Sequence, residues 1–161
     1  VDVCPLAALY SLRIGAGAAA AGIPLSIWLL AFSTFFFFSL AAVKRQAELV
    51  DAVQNGTGLN ARPGYRAEDL PIVAMMAVGA GFVSVLVMAL YINSPDVTAL
   101  YSRPEVLFGI CAVLLFWISR IVLITHRGEM HDDPVVFAAR DRVSLVSFAL
   151  VVAFVAAGSQ L

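Results

Sequence analysis

The sequence predicts an all-α fold, a polytopic transmembrane helical bundle with five membrane-spanning helices. Hydrophobic residues make up 61% of the chain and mean hydropathy is +0.93, well beyond the roughly 45–50% apolar content of soluble domains. Five stretches, residues 3–23, 25–43, 71–92, 106–125 and 143–158, approach the about 20 apolar residues that a helix needs to cross about 30 Å of hydrocarbon. None of them has the short alternating pattern, with a polar inner face, of a membrane barrel strand.

The first span, 3–23, carries Arg13 near its middle. Gly15, Gly17 and the alanines at 16 and 18–21 predict close helix packing, which turns Arg13 toward a protein interior. There a cation either suits an anionic ligand or pairs with a carboxylate. The chain opens at Val1 with neither a Met nor a basic stretch, so this span does not read as a signal peptide, and the chain reads as a processed product or a fragment. Gly22-Ile23-Pro24 is so short a connection that the first two helices must be adjacent and antiparallel.

The second span, 25–43, is rich in Phe and continues as a helix to Asp51. At helical spacing Lys44, Glu48 and Asp51 share a face and Arg45 lies beside it, the pattern either of a polar site or of a solvated helix end. The third span is 71–92. The fourth, 106–125, holds Arg120 near one end, where it either snorkels to the interface or serves a site. A dense polar connector follows from His126 to Pro134. Asp133 reads as a helix N-cap and Pro134 as the first helical residue, so the last span, 143–158, extends back toward 135. His126 and His131, five apart, lack the register of a helical zinc pair. Cys4 and Cys111, with no CxxC spacing, read as inert packing residues.

Counting spans from the first hairpin puts Asp2 and the loops 44–69 and 126–142 on one side. That side carries Lys44, Arg45, Arg62, Arg66, Arg127, Arg140 and Arg142, against Arg103 alone opposite. Short loops rich in Lys and Arg stay in the cytoplasm, so the charged side is expected there and the C-terminus outside. Nine of the eleven acidic residues share that side; acidic residues contribute little to orientation, which points to a polar site. A net charge of −1 argues against a general nucleic-acid surface. A transporter would carry polar residues on both sides of the midplane, so the one-sided distribution favours an enzyme, with a transporter or a structural membrane subunit as the alternatives.

Three stretches carry a family resemblance: Asp2-Val3 with Leu9-Tyr10-Ser11-Leu12-Arg13-Ile14 and Gly17; Leu40-Ala41-Ala42-Val43-Lys44-Arg45-Gln46-Ala47-Glu48-Leu49; and Arg127-Gly128-Glu129-Met130-His131-Asp132-Asp133-Pro134-Val135-Val136-Phe137-Ala138 with Asp141-Arg142. Together they resemble the UbiA-type membrane prenyltransferase superfamily. They are similar to its decaprenyl-phosphate phosphoribosyltransferase-like branch, often fused to a haloacid-dehalogenase-like domain. The resemblance implies that residues 1–161 are the C-terminal part of one such transmembrane domain, with no second domain in the chain and the N-terminal half of the fold as its missing partner. It implies a transferase of a bacterial inner membrane, acting at the cytoplasmic face on a polyprenyl-phosphate-type lipid with a phosphate-bearing cosubstrate, and inactive as an isolated fragment.

The family's two Asp-rich motifs hold Mg²⁺ against phosphates. Here the early motif is absent, and Lys44 and Glu48 stand where the later one has aspartates. By this resemblance Lys44, Arg45 and Arg13 bind substrate phosphate. Glu48 and Asp51 act as the catalytic carboxylates, with Glu48 the candidate metal ligand. The Phe-rich helix lines a channel for the isoprenoid tail. Arg127, Asp132, Asp133 and Asp141 form a second polar cluster, in which the aspartates are either site carboxylates or caps.

Overall fold

The computed structural model describes residues 2–22, 26–56, 64–131 and 133–159. Among them every regular element is helical: α1 Val3–Ala21, α2 Ile27–Gln54, α3 Leu70–Ile92, α4 Pro95–Leu100, α5 Phe108–His126, α6 Pro134–Arg140 and α7 Arg142–Ser159. Short 3-10 turns, Ala67–Asp69 and Pro104–Leu107, lead into α3 and α5. Five helices, counting those turns as part of their spans, are long and apolar enough to cross a membrane.

The contacts define an up-and-down order. Asp2, Tyr10 and Ser11 of the α1 end face Arg45, Phe37 and Thr34 of α2, so the two run antiparallel. Ser39 of α2 donates to the Ala77 carbonyl of α3 at 2.6 Å. Cys111 of α5 lies near Val85 of α3, and Trp117 of α5 bonds Ser144 of α7. Each neighbour reverses direction, which gathers Asp2, the end of α2, the start of α3 and residues 120–131 and 133–142 at one charged end. The predicted hairpin at Ile23 and Pro24 and the loop position Arg62 lie outside the described residues.

Inside and outside are inverted relative to a water-soluble bundle. Phe116, Leu123, Val146 and Phe148 are exposed on the outer surface, whereas Ser39, Ser84, Ser144 and Ser147 are buried between helices. These four hydroxyls find backbone or side-chain partners, as Ser84 does on Gly81 O and Ser147 on Val143 O. Apolar side chains facing outward and small polar residues at helix contacts are what a hydrocarbon solvent selects. The chain is therefore an integral membrane protein. Among the described residues two hydrophobic clusters form the core. One, around Ala42, Val43, Ala77, Ile121 and Met130, underlies the charged end; the other, around Ile92, Val97, Leu107 and Ile110, closes the opposite end.

Length mismatch exposes the charges. The 28 residues of α2 span about 42 Å, more than the about 30 Å of hydrocarbon, so its last turns project beyond the membrane. The final span differs from expectation. It does not extend unbroken toward 135, because Asp141 is in extended geometry (φ −80°, ψ 124°) and separates α6 from α7. The Asp141 carboxylate instead accepts from the Ser144 backbone N–H and hydroxyl, both at 2.8 Å, capping α7.

Gly81 is where α2, α3 and α5 meet most closely: a Cβ there would lie 2.5 Å from Ile118 Cγ2 and 3.0 Å from Ser39 Oγ. At Gly79, one half-turn away, a Cβ would meet nothing within 4 Å. Gly81→Ala is expected to cost about 1–3 kcal/mol through overpacking, and Gly79→Ala to be neutral or slightly stabilising. Thermal unfolding of both variants in detergent checks this; equal effects would remove the close three-helix contact.

Candidate functional site

The charged end is organised around Arg45. Its side chain is 2% exposed, on a stretch of α2 where Val43, Gln46, Ala47, Leu49 and Val50 are also buried. One terminal nitrogen donates to the Asp2 carboxylate before α1, the other to Glu48 one turn on. Tyr65, entering α3, donates its hydroxyl to Asp2 Oδ1 at 2.9 Å, and the guanidinium stacks over its ring at 5.1 Å. Burial, and then the hydrogen bond to and charge of Asp2, push the Tyr65 phenol above its ordinary pKa against the opposing pull of Arg45. Beside this hub Gln46 is fully buried, and neither amide atom has a hydrogen-bond partner among the described residues.

Lys44 points the other way. Its side chain is 40% exposed and its ammonium lies 3.0 Å from Asp133, whose other oxygen caps α6 by accepting from Val135 N at 3.0 Å. The surrounding cleft is lined by Leu6, Tyr10, Phe37, Leu40 and Val135. Farther along α2, Asp51 is 3.7 Å from the ring of His131, and Gln54 packs against Gly128. That glycine has φ +74°, and a Cβ there would fall 2.3 Å from Gln54 Nε2. The connector from α5 to α6 is thus held to α2 at three levels, by Lys44, Asp51 and Gln54.

A second polar network joins α5 to α7. Arg120 grips both oxygens of Asp141 at 2.6 and 3.2 Å, and Trp117 Nε1 donates to Ser144 Oγ at 2.9 Å. Desolvation pushes the Asp141 carboxyl up. The Arg120 and Ser144 hydrogen bonds, with the Arg120 charge, outweigh it and hold the group below its ordinary value. On the same side of the bundle Phe36, Leu114, Trp117, Ala138, Phe148 and Val151 line an apolar groove of about 530 Å³. Phe36 and Trp117 stack in it, with ring centroids 6.0 Å apart.

The structure brings Lys44, Arg45, Glu48, Asp51 and Asp133 to one charged end, in pairings that sequence spacing did not specify. Glu48 pairs with Arg45, not Lys44, and Arg45 is turned inward with both terminal nitrogens committed instead of lying open beside Lys44. Arg120 reaches toward the charged end, where Asp141 clamps it. Asp141 and Asp133 both cap helices, and each also meets a cation, Arg120 and Lys44 respectively; Asp132 lies outside the described residues. Arg127 is exposed at the end of α5, away from this hub. Arg13 is also exposed, over the Tyr10 ring at 5.6 Å, and a Cβ at Gly15 or Gly17 would touch nothing. The expected packing that turns Arg13 inward is thus absent among the described residues; α2 lies against α1 on its buried Val3, Ala7 and Ser11 side. Cys4 is exposed, not packed. The described residues hold no cluster of three or more His, Cys, Asp or Glu suited to a metal.

Sequence reasoning missed Asp2 and Tyr65 as members of the site. The parity of the spans already put Asp2 on the right side, but no spacing joins it to Arg45; Tyr65 left no local signal.

The chain is 39% identical over 146 residues to the nodulation protein NoeC of Azorhizobium caulinodans, a match covering 91% of this chain and 48% of that protein. It is 38% identical over 152 residues to the uncharacterized protein y4nM of Sinorhizobium fredii, covering 94% of this chain and 30% of that one. The chain therefore spans less than half the length of either curated relative. No family model matches it, and no solved structure matches it significantly.

Because the Asp141 pKa is depressed on folding, its contribution to stability is present above the ordinary carboxylate value of 3.8 and lost as pH falls through the lower folded value. Asp141→Asn is expected to lower stability at neutral pH by about 1.5–3 kcal/mol, the range for a charge-assisted bond. The variant should also flatten the acid limb below about pH 5. Unfolding curves of both proteins between pH 3 and 7 test this; an unchanged acid limb in the variant would show that Asp141 is not the group responsible.

Proposed function

We propose that the chain is the lipid-facing part of a UbiA-type transferase that acts on a polyprenyl-phosphate-type lipid, with the charged end in the cytoplasm of a bacterial inner membrane. The observation that carries this reading is the placement of Lys44. A half-exposed ammonium stands at the mouth of an apolar cleft, and Val135 lines both that cleft and the larger groove of Phe36, Trp117 and Phe148. A cation beside a small apolar cleft that shares Val135 with a larger apolar groove suits a molecule with an anionic head and a long hydrocarbon tail. The bare opposite end, with only Asp96, Arg103 and Glu105 as its charges, favours one-sided chemistry over transport.

In this reading Lys44 binds the lipid phosphate while keeping one donor on Asp133; an ammonium has three. Arg45 acts as a positioning residue, holding Glu48 and Asp2 in place, and the Glu48 side chain is 38% exposed. Phosphoribosyl transfer would form a bond from a lipid phosphate oxygen to the ribose anomeric carbon and break that carbon's bond to diphosphate, which leaves with the electron pair. Glu48 and Asp51 are the residues that would hold Mg²⁺. One or two carboxylates completed by substrate phosphates is the usual donor set for that ion, and it would neutralise charge on the leaving diphosphate.

In the complete polypeptide, assayed with a polyprenyl phosphate and a phosphoribosyl donor across a Mg²⁺ titration, Lys44→Ala is expected to weaken lipid-phosphate binding by about 1.5–3 kcal/mol. Arg103→Ala should change it by well under 1 kcal/mol. Glu48→Gln should lower turnover about tenfold or more with normal membrane insertion, since it removes the anion and keeps the shape. Wild-type turnover and metal dependence in Glu48→Gln would sink its assignment, and equal effects at Lys44 and Arg103 would sink the lipid-phosphate site.

Orientation has its own test. Single cysteines at positions 62 and 127 should react with impermeant reagents only after cells are opened. Labelling of both in intact cells would invert the proposed topology.

A further inference from the structure

Arg13 remains unexplained by the site. It sits near the middle of the 19-residue α1, and its only recorded contact among the described residues is the Tyr10 ring. Around it Leu9 and Leu12 are 56% and 67% exposed. A guanidinium facing lipid at mid-span, too far from either end to snorkel, is costly and finds an acceptor when the bundle is complete. On the same face Gly17, one turn on from Arg13, leaves open space in which another backbone could approach closely.

We infer that this face of α1 docks a further membrane-spanning helix of the same polypeptide, one that carries an Asp or Glu at the depth of Arg13. Charge complementarity selects that occupant. A second copy of α1 across a two-fold axis would set Arg13 against Arg13, two like charges in a low dielectric. Lipid tails offer no acceptor at that depth. The matched stretch is 48% and 30% of the two relatives, so proteins of this kind have ample length for such a helix. The inference stands on Arg13 alone and is independent of the proposed transferase activity.

The test places a photo-crosslinking residue at position 9 or 12 in the complete polypeptide, in native membranes, and identifies the crosslinked peptide by mass spectrometry. The expected result is an apolar peptide from outside residues 1–161 with one mid-span carboxylate. Crosslinking should be lost in Arg13→Glu and restored when that carboxylate is changed to Arg. Arg13→Leu should lower the unfolding temperature, because it strands the partner's carboxylate; a residue that merely faced lipid would leave it unchanged or raise it. Crosslinks to lipid alone, to a second copy of residues 1–161 or to a separate protein would each overturn the proposal, as would failure of the charge swap to restore the contact.

Discussion

A guanidinium cannot stay buried with its charge unanswered, and the charged end of this bundle is arranged around that constraint at Arg45. Desolvating an ion costs several kcal/mol even after relaxation, so two carboxylates and a phenol ring converge on it. Asp2 comes from the start of α1, Glu48 from the next turn of α2, and Tyr65 from the approach to α3. One side chain therefore sets the relative position of three helix ends. It leaves Lys44, its neighbour in sequence, free to face the cleft on the other side of the helix. The polar site thus has a rigid half, built on Arg45, and an accessible half, built on Lys44.

The same constraint acts on α5 and α7. Arg120 would be an expensive residue on a membrane helix, but Asp141 meets it with both oxygens and also caps α7. The carboxylate thus answers two needs at once, a partly buried cation and the unsatisfied amides of a helix start. The break between α6 and α7 follows from it, because Asp141 can reach Ser144 only from extended backbone. That break turns α6 aside, so Val135 and Ala138 close the apolar groove beneath the charged end.

Much of this was legible from particular residues. The length of the apolar runs announced five spans, and the tightness of Gly22-Ile23-Pro24 announced the parity that brings Asp2, Lys44 and Asp133 to one end. Asp133-Pro134 announced a helix start, and the structure has it. Less legible were the pairings. Lys44 and Arg45 look equivalent in a string of letters, yet one is nearly half exposed and the other 2% exposed, because adjacent residues on a helix point about 100° apart. Arg13 and Arg120 look like two instances of one feature, a lone arginine in an apolar run. One is clamped and the other bare, a difference set by which neighbouring helix happens to carry a carboxylate at the same depth.

What the sequence by itself determined is what depends on sums along the chain: the number of spans, their order, and the end at which the charge collects. Hydrocarbon thickness reads only length and mean hydropathy, and both are local. The tertiary structure alone decided which cation meets which anion, that Asp2 and Tyr65 belong to the site, and where the apolar groove opens. Those depend on the rotation of each helix about its axis and on its depth against its neighbours. Both are set by side-chain packing between segments far apart in sequence, as at Gly81 against Ile118, and no local pattern encodes them.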